Sequence, residues 1–149
     1  MPTSAYSKFQ SFVLRLGEGV HQLHAAGHQL EVYLSNTTPN LATHNVKADL
    51  AEITNQNGYT APVDTQNGYT ASAGTGTLVG TSFTLTSSGA GFGPFRYVIL
   101  FNTTPTAPAD PLIGHWDYGS AITPAGGETF EVRFNGVASG SPGTIFTLT

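Results

Sequence analysis

The stretch Gly93–Gly119, GPFRYVILFNTTPTAPADPLIGHWDYG, decides how the chain folds. It holds the longest apolar run, Tyr97-Val98-Ile99-Leu100-Phe101, closed in front by Gly93-Pro94 and behind by Asn102-Thr103-Thr104-Pro105. Five β-branched and aromatic residues between such stops predict a buried strand, because helices need roughly ten or more residues. A connection carrying Pro105, Pro108 and Pro111 leads to a second run, Leu112-Ile113-Gly114-His115-Trp116, which contains the single tryptophan. The two runs read as adjacent central strands of a β-sandwich, on which the rest of the chain is expected to pack.

Downstream, Glu128–Phe134 alternates polar and apolar, which turns Phe130, Val132 and Phe134 to one face. Asn135-Gly136 signals a tight turn, and Thr144–Leu148 reads as a final strand. Upstream, residues 72–91 are mostly Gly, Ser, Thr and Ala, with short strand signals at Leu78-Val79 and Phe83–Leu85. Gln29–Leu34 alternates as a half-buried strand with Leu30, Val32 and Leu34 on one face, and ends in Asn36-Thr37-Thr38-Pro39. The same tetrapeptide follows the Tyr97–Phe101 run. Asn and Thr bond their own backbone and proline stops a central strand, so both copies read as strand-exit turns.

Phe9, Phe12, Val13, Leu16, Val20 and Leu23 fall on one face of a helix over residues 7–23. Gly17 and Gly19 each disfavour that helix by about 1 kcal/mol, so it is expected to break near Gly17. Val46, Leu50 and Ile53 suggest a second, short helix over Asn45–Ile53 with Asn45 as its N-cap. Gln56-Asn57-Gly58-Tyr59-Thr60-Ala61 recurs as Gln66-Asn67-Gly68-Tyr69-Thr70-Ala71. Two copies are too few for a solenoid, so the repeat reads as a lengthened loop or a pair of small edge strands. The expected architecture is all-β: one domain over 1–149, with a helical segment at 1–26 and a β-sandwich or jelly roll at 27–149, its Gly/Thr-rich loops at 54–92.

Charged residues make up 9% of the chain, against roughly 25% in typical globular proteins. Polarity comes instead from hydroxyls and amides, with 21 threonines, which suit a pleated surface. Lys8 and Lys47 are the only lysines, so few charges discourage association. Such a surface is expected to sit against other protein; the alternative is an uncharged secreted monomer. The five Lys and Arg are scattered and the net charge is −4, so no patch tracks a phosphate backbone and nucleic acid is not an expected partner. No apolar run approaches the roughly 20 residues of a membrane span, so no membrane association is expected. No basic-then-apolar leader is read at the N-terminus. With no cysteine, neither disulfides nor thiolate metal sites arise.

Candidate chemistry is sparse. His21, His24 and His28 would share a face of an uninterrupted helix, at a spacing that can hold zinc, but Gly27 intervenes and solvated or interface histidines are the default. His115 and Asp117 flank Trp116 and point away from it, inviting an acid–base reading. No Gly-x-Ser-x-Gly elbow or cysteine nucleophile accompanies them. Neither an enzymatic activity nor a cofactor is expected. Tyr59 and Tyr69 in the repeats suggest a stacking platform for sugar rings, and Arg96 beside Phe95 and Tyr97 can pair with Asp110 or Asp117 or dock a neighbour. Protein-contact candidates are Phe9, Phe12, Arg15, Tyr59, Tyr69 and Arg96.

From Tyr6 onward the order of motifs resembles a family of tailed-bacteriophage virion proteins of about this size. The likeness runs through Glu31-Val32-Tyr33-Leu34, Thr38-Pro39-Asn40, Thr43-His44, Lys47–Ile53, Asn57–Ala61, Phe95–Asn102, Asp110–Gly114 and Trp116–Gly119. It implies a small β-rich virion component with no catalytic residues. The duplicated Asn-Gly-Tyr-Thr-Ala block departs from the single copy usual in that family. The expected role is a capsid decoration (cement) protein on the outer head surface, a dimer or trimer whose partner is the major capsid protein. The alternative is a tail or fibre module that binds host cell-surface glycan.

Overall fold

A computed structural model describes residues 3–149. The two central runs form β7 and β8, and the larger sheet is built around them. In chain order the first elements are β1 (Ser7–Lys8), α1 (Gln10–Gly17), β2 (Leu30–Ser35) and a 3-10 turn at Lys47–Asp49. β3 (Val63–Asp64), β4 (Gly68–Ser72), β5 (Thr75–Thr81) and β6 (Phe83–Thr86) follow. The chain ends with β7 (Phe95–Asn102), β8 (Leu112–Ile122), β9 (Thr129–Val132), a 3-10 turn at Phe134–Gly136 and β10 (Pro142–Leu148). Five strands make the larger sheet in the order β1-β8-β7-β2-β3. Two small sheets, β10-β5-β4 and β6-β9, supply residues to the core on one of its faces. The fold is therefore all-β with one short N-terminal helix, a sandwich whose second layer is split in two.

Register explains the layering. Leu34 pairs with Val98 and Val98 with Trp116, while Val32 pairs with Leu100 and Leu100 with Gly114. These rows face Leu78, Leu85, Phe130, Ile145 and Phe146 of the small sheets. Tyr6 lies against Gly114, where any β-carbon would collide with its ring. The intervening rows, Tyr33–Ile99–His115 and Glu31–Phe101–Leu112, face the other way. There Phe9, Leu50 and the partly buried Leu41 cover them. β2 is thus buried on both faces, and only its pattern of alternation was anticipated.

This second cover is held by polar contacts. The Tyr33 hydroxyl donates to the Leu50 carbonyl at 2.9 Å. The Lys47 ammonium stands 5.1 Å and 5.5 Å from the Tyr33 and Phe101 ring centres and pairs with Glu52 at 2.6 Å. The expected helix over Asn45–Ile53 shrinks to the 3-10 turn because Asn45 and Val46 are spent on β8's entry. The Leu112 N–H donates to the Asn45 carbonyl, the Lys47 N–H donates to the Asp110 carbonyl, and Val46 bridges Pro111. Asn45 is no N-cap. The Asp49 carboxylate instead accepts the N–H groups of Asn45 and Val46 at 2.8 Å and 3.1 Å.

α1 is shorter than the expected 7–23. It stops at Gly17 because Gly19 takes φ +76° and closes a Schellman cap. The Val20 N–H donates to the Arg15 carbonyl at 2.9 Å and the Gly19 N–H to the Leu16 carbonyl at 3.1 Å. Phe9 and Phe12, selected as contact residues, are fully buried, on the far face of the large sheet and in the sandwich core respectively. They are scaffold. The exposed apolar residues of α1 are Val13 (54%) and Leu14 (58%). The Asn135-Gly136 signal makes a 3-10 turn, and the chain then runs to β5 rather than back along β9.

The two hexapeptide copies fold differently. In the first, Asn57 and Gly58 take positive φ in a loop and Tyr59 is only 2% exposed. Its hydroxyl accepts the Leu34 N–H at 2.8 Å and donates to Glu52 at 3.2 Å. In the second, Gly68–Ser72 is β4, and Tyr69 lies across Gly76 of β5. Both copies seal the outer edge of β2. The Leu30 N–H donates to the Asn67 side chain at 3.0 Å, β3 pairs beside Val32, and Tyr59 takes Leu34. Tyr59→Phe strands a buried donor and is expected to lower stability by about 1–3 kcal/mol. Tyr69→Phe removes no bond of this kind and is expected to change stability by under about 0.5 kcal/mol. Urea unfolding of the two variants checks the difference.

Candidate interaction surface

Of the six residues selected from sequence, the structure leaves three at or near the surface. Arg96 forms a two-pronged ion pair with Asp117, Nε–Oδ1 2.8 Å and Nη2–Oδ2 2.9 Å, and its guanidinium lies 5.4 Å from the Tyr97 ring centre. These bonds hold the Asp117 carboxyl below the usual carboxylate range. With both side chains about two-fifths exposed, solvent screening leaves the pair only a small part in stability. Arg15 pairs with Glu18 at 2.8 Å on the exposed side of α1. Tyr69 is half-buried. Because Tyr59 is sealed in the core, the two tyrosines do not form a stacking platform for sugar.

His115 and Asp117 share a face without forming an acid–base pair. Both Asp117 oxygens are occupied, Oδ1 by the Arg96 Nε–H and the Gly119 N–H and Oδ2 by Arg96 Nη2. His115 is wedged between the Phe9 and Tyr97 rings at 5.6 Å and 6.0 Å, with its Nδ1 left without a protein partner. Burial pushes its pKa down, opposed by Asp117. No group of three or more potential metal ligands occurs among the described residues. No helix among them is long and apolar enough to cross a membrane.

The histidine trio divides. His24 is exposed, whereas the Nδ1 atoms of His21 and His28 converge on one amide nitrogen, Asn102 Nδ2, at 3.1 Å and 3.0 Å. Asn102 Oδ1 is taken by the Thr104 N–H at 3.2 Å, which fixes the amide with its NH2 toward the imidazoles. Both rings then accept a hydrogen bond at Nδ1. Asn67 clamps the same segment, donating to the carbonyls of Leu23 and His28 at 3.0 Å and 3.1 Å. The sequence pattern points Asn102 only to a strand-exit turn and Asn67 only to the repeat. The identical Asn-Thr-Thr-Pro letters gave no signal of this, since Asn36 is exposed and Asn102 fully buried.

The remaining surface is unusual for its lack of charge. No Lys, Arg, Asp or Glu occurs from residue 65 to 95 or from 134 to the end. The β10-β5-β4 sheet lies wholly within these two stretches. Thr70 pairs with Thr77 and Thr77 with Thr147, so one threonine row crosses all three strands. β10 borders a groove of about 280 Å³ whose other wall includes Tyr6, Lys8 and Phe12, near the exposed Val13 and Leu14 of α1. The sheet, the groove and this part of α1 are the candidate contact surface. The chain matches no protein-family model, no curated protein and no solved structure.

His21 makes the N-terminal segment sensitive to acid. His21 is pushed down to about 4 by burial, then by the charges of His28 and Arg15. Unfolded, the same ring titrates near 6.5. Between those values the unfolded chain binds the proton and the folded chain refuses it, so stability should fall as pH drops from about 6.5 to about 4. Thermal midpoints measured across that window test this, and His21→Phe should flatten the slope.

Proposed function

We propose that the chain is a bacteriophage virion structural protein, a capsid decoration protein that binds the outer head surface and bridges neighbouring capsomers. The observation that carries this reading is the charge-free, threonine-rich sheet beside the exposed Val13 and Leu14. A free monomer gains solubility from charge, whereas a surface destined to lie against protein does without it. The ordered likeness of the chain's motifs to tailed-phage virion proteins points the same way. A standard contact of about 1,600 Å² becomes effective when many are made on one particle, because each bound site raises the effective concentration at the next.

On this reading β7 and β8 are scaffold, and α1 with the uncharged sheet makes the contacts. Arg96 and Arg15 sit at the margins, where exposed charges tune encounter more than affinity. The glycan-binding alternative loses Tyr59, which is buried, and no other observation favours it. The decisive experiment adds purified chain to heads lacking it and measures binding, copy number and resistance to heat. Expected are hundreds of copies per head and a higher disruption temperature. Replacing Val13 and Leu14 by serine should weaken head binding at least tenfold while leaving the unfolding midpoint within a few degrees. No binding to such heads, or a copy number of six or twelve, overturns the reading.

A further inference from the structure

An open sheet edge presents a row of unpaired N–H and C=O groups that soluble proteins block or use. Most edges of this fold are blocked. β1 and β3 are two residues long and carry Lys8 and Asp64. β9 carries Glu131, with Glu128 and Arg133 beside it. β6 is closed at one end, where Gly58 packs on the Thr86 carbonyl and the Ser88 N–H donates to the Asn57 carbonyl. β10 begins at Pro142, is bulged between Thr144 and Phe146, and borders the groove with Tyr6 and Phe12.

Among the described residues, β4 has none of these devices. It is uncharged, free of proline and in unbroken register with β5. The hairpin turns through Ala73 and Gly74, with φ +49° and +81°. In a two-residue hairpin the flanking pair exchanges both backbone bonds and pairs alternate from there. Ser72, Thr70 and Gly68 therefore bond to β5, and the N–H and C=O groups of Tyr69 and Ala71 face outward.

We propose that a second copy of this chain adds at this edge, the two β4 strands pairing antiparallel about a two-fold axis through Thr70. Tyr69 of each copy then exchanges both bonds with Ala71 of the other, and all four outward groups of each strand are satisfied. Thr70 meets Thr70, so the Thr70–Thr77–Thr147 row continues across the axis and two three-stranded sheets become one of six strands. The strand's own symmetry favours a second copy over a foreign strand. The outward pair straddles Thr70, and a two-fold contact that sets Tyr69 against Ala71 also sets Ala71 against Tyr69, so one symmetric contact satisfies both. With no charge from residue 65 to 95, β4 and β5 bring no like charges together at the axis. The pairing specifies the oligomer in the decoration reading and is measured without heads.

Sedimentation velocity of the full chain over a concentration series, into the millimolar range, tests it. The chain should associate to a dimer. Thr70→Lys and Thr70→Glu should each weaken association at least tenfold by placing like charges on the axis, and an equimolar mixture should restore it. Ala71→Pro removes an outward N–H without touching a β4–β5 bond and should weaken association as well, with circular dichroism verifying its fold. A chain monomeric at every concentration, or a dimer indifferent to Thr70→Lys with no gain on mixing, overturns the pairing. Head binding by a strictly monomeric chain would overturn the pairing alone and leave the decoration reading standing. A dimer that binds no head does the opposite.

Discussion

The structure depends on covering one strand twice. β7 is apolar on both faces, Val98 and Leu100 looking one way and Tyr97, Ile99 and Phe101 the other. Fully burying each such side chain is worth about 1.5–3 kcal/mol, but only if both faces are roofed. The small sheets roof one side, and the segment after β2 roofs the other with Leu50 and Leu41. The second roof has no strand ladder of its own to hold it down. Lys47 does that work, its charge over two rings and its ammonium on Glu52, together with the Tyr33 hydroxyl. One of only two lysines is thus half-buried and tied to this cover.

The same demand made the fold readable. Short β-branched runs bounded by proline and glycine located β2, β7, β8 and β10, because a buried strand must be apolar and must end. Sequence periodicity reports burial and says nothing of what does the burying. Phe9 and Phe12 therefore looked like a contact stripe on α1, whereas they roof opposite faces of the large sheet and Val13 and Leu14 are left outside. The helix break near Gly17 was legible, since Gly19 needs positive φ. The segment Asn45 to Lys47 was not legible as bridging β8's entry, because its partners, Asp110 to Leu112, are remote in sequence.

Polar side chains inside the fold were the least legible. Asn102 receives two imidazoles from a segment more than seventy residues away, and no local pattern announces that. Only the contrast with Asn36, the matching residue of the other Asn-Thr-Thr-Pro turn, reveals that identical turn letters serve different ends. The candidate surface was legible as composition and illegible as geometry. Scarce charge and abundant threonine were plain in the chain, while their assembly into one sheet required the pairing of β4, β5 and β10.

The repeated hexapeptide has a consequence for how this chain can change. Its copies are identical in letters, yet one supplies Tyr59 to one end of β2 and the other supplies Asn67 to the opposite end. Loss of either ten-residue block would leave a sequence that still aligns cleanly over the surviving copy. Only the residues that follow each copy, Pro62-Val63-Asp64 or Ser72-Ala73-Gly74, would tell which one survived, and each loss unseals a different end of the same strand. The duplication is no longer redundancy. It has become a division of labour, and neither half can stand in for the other.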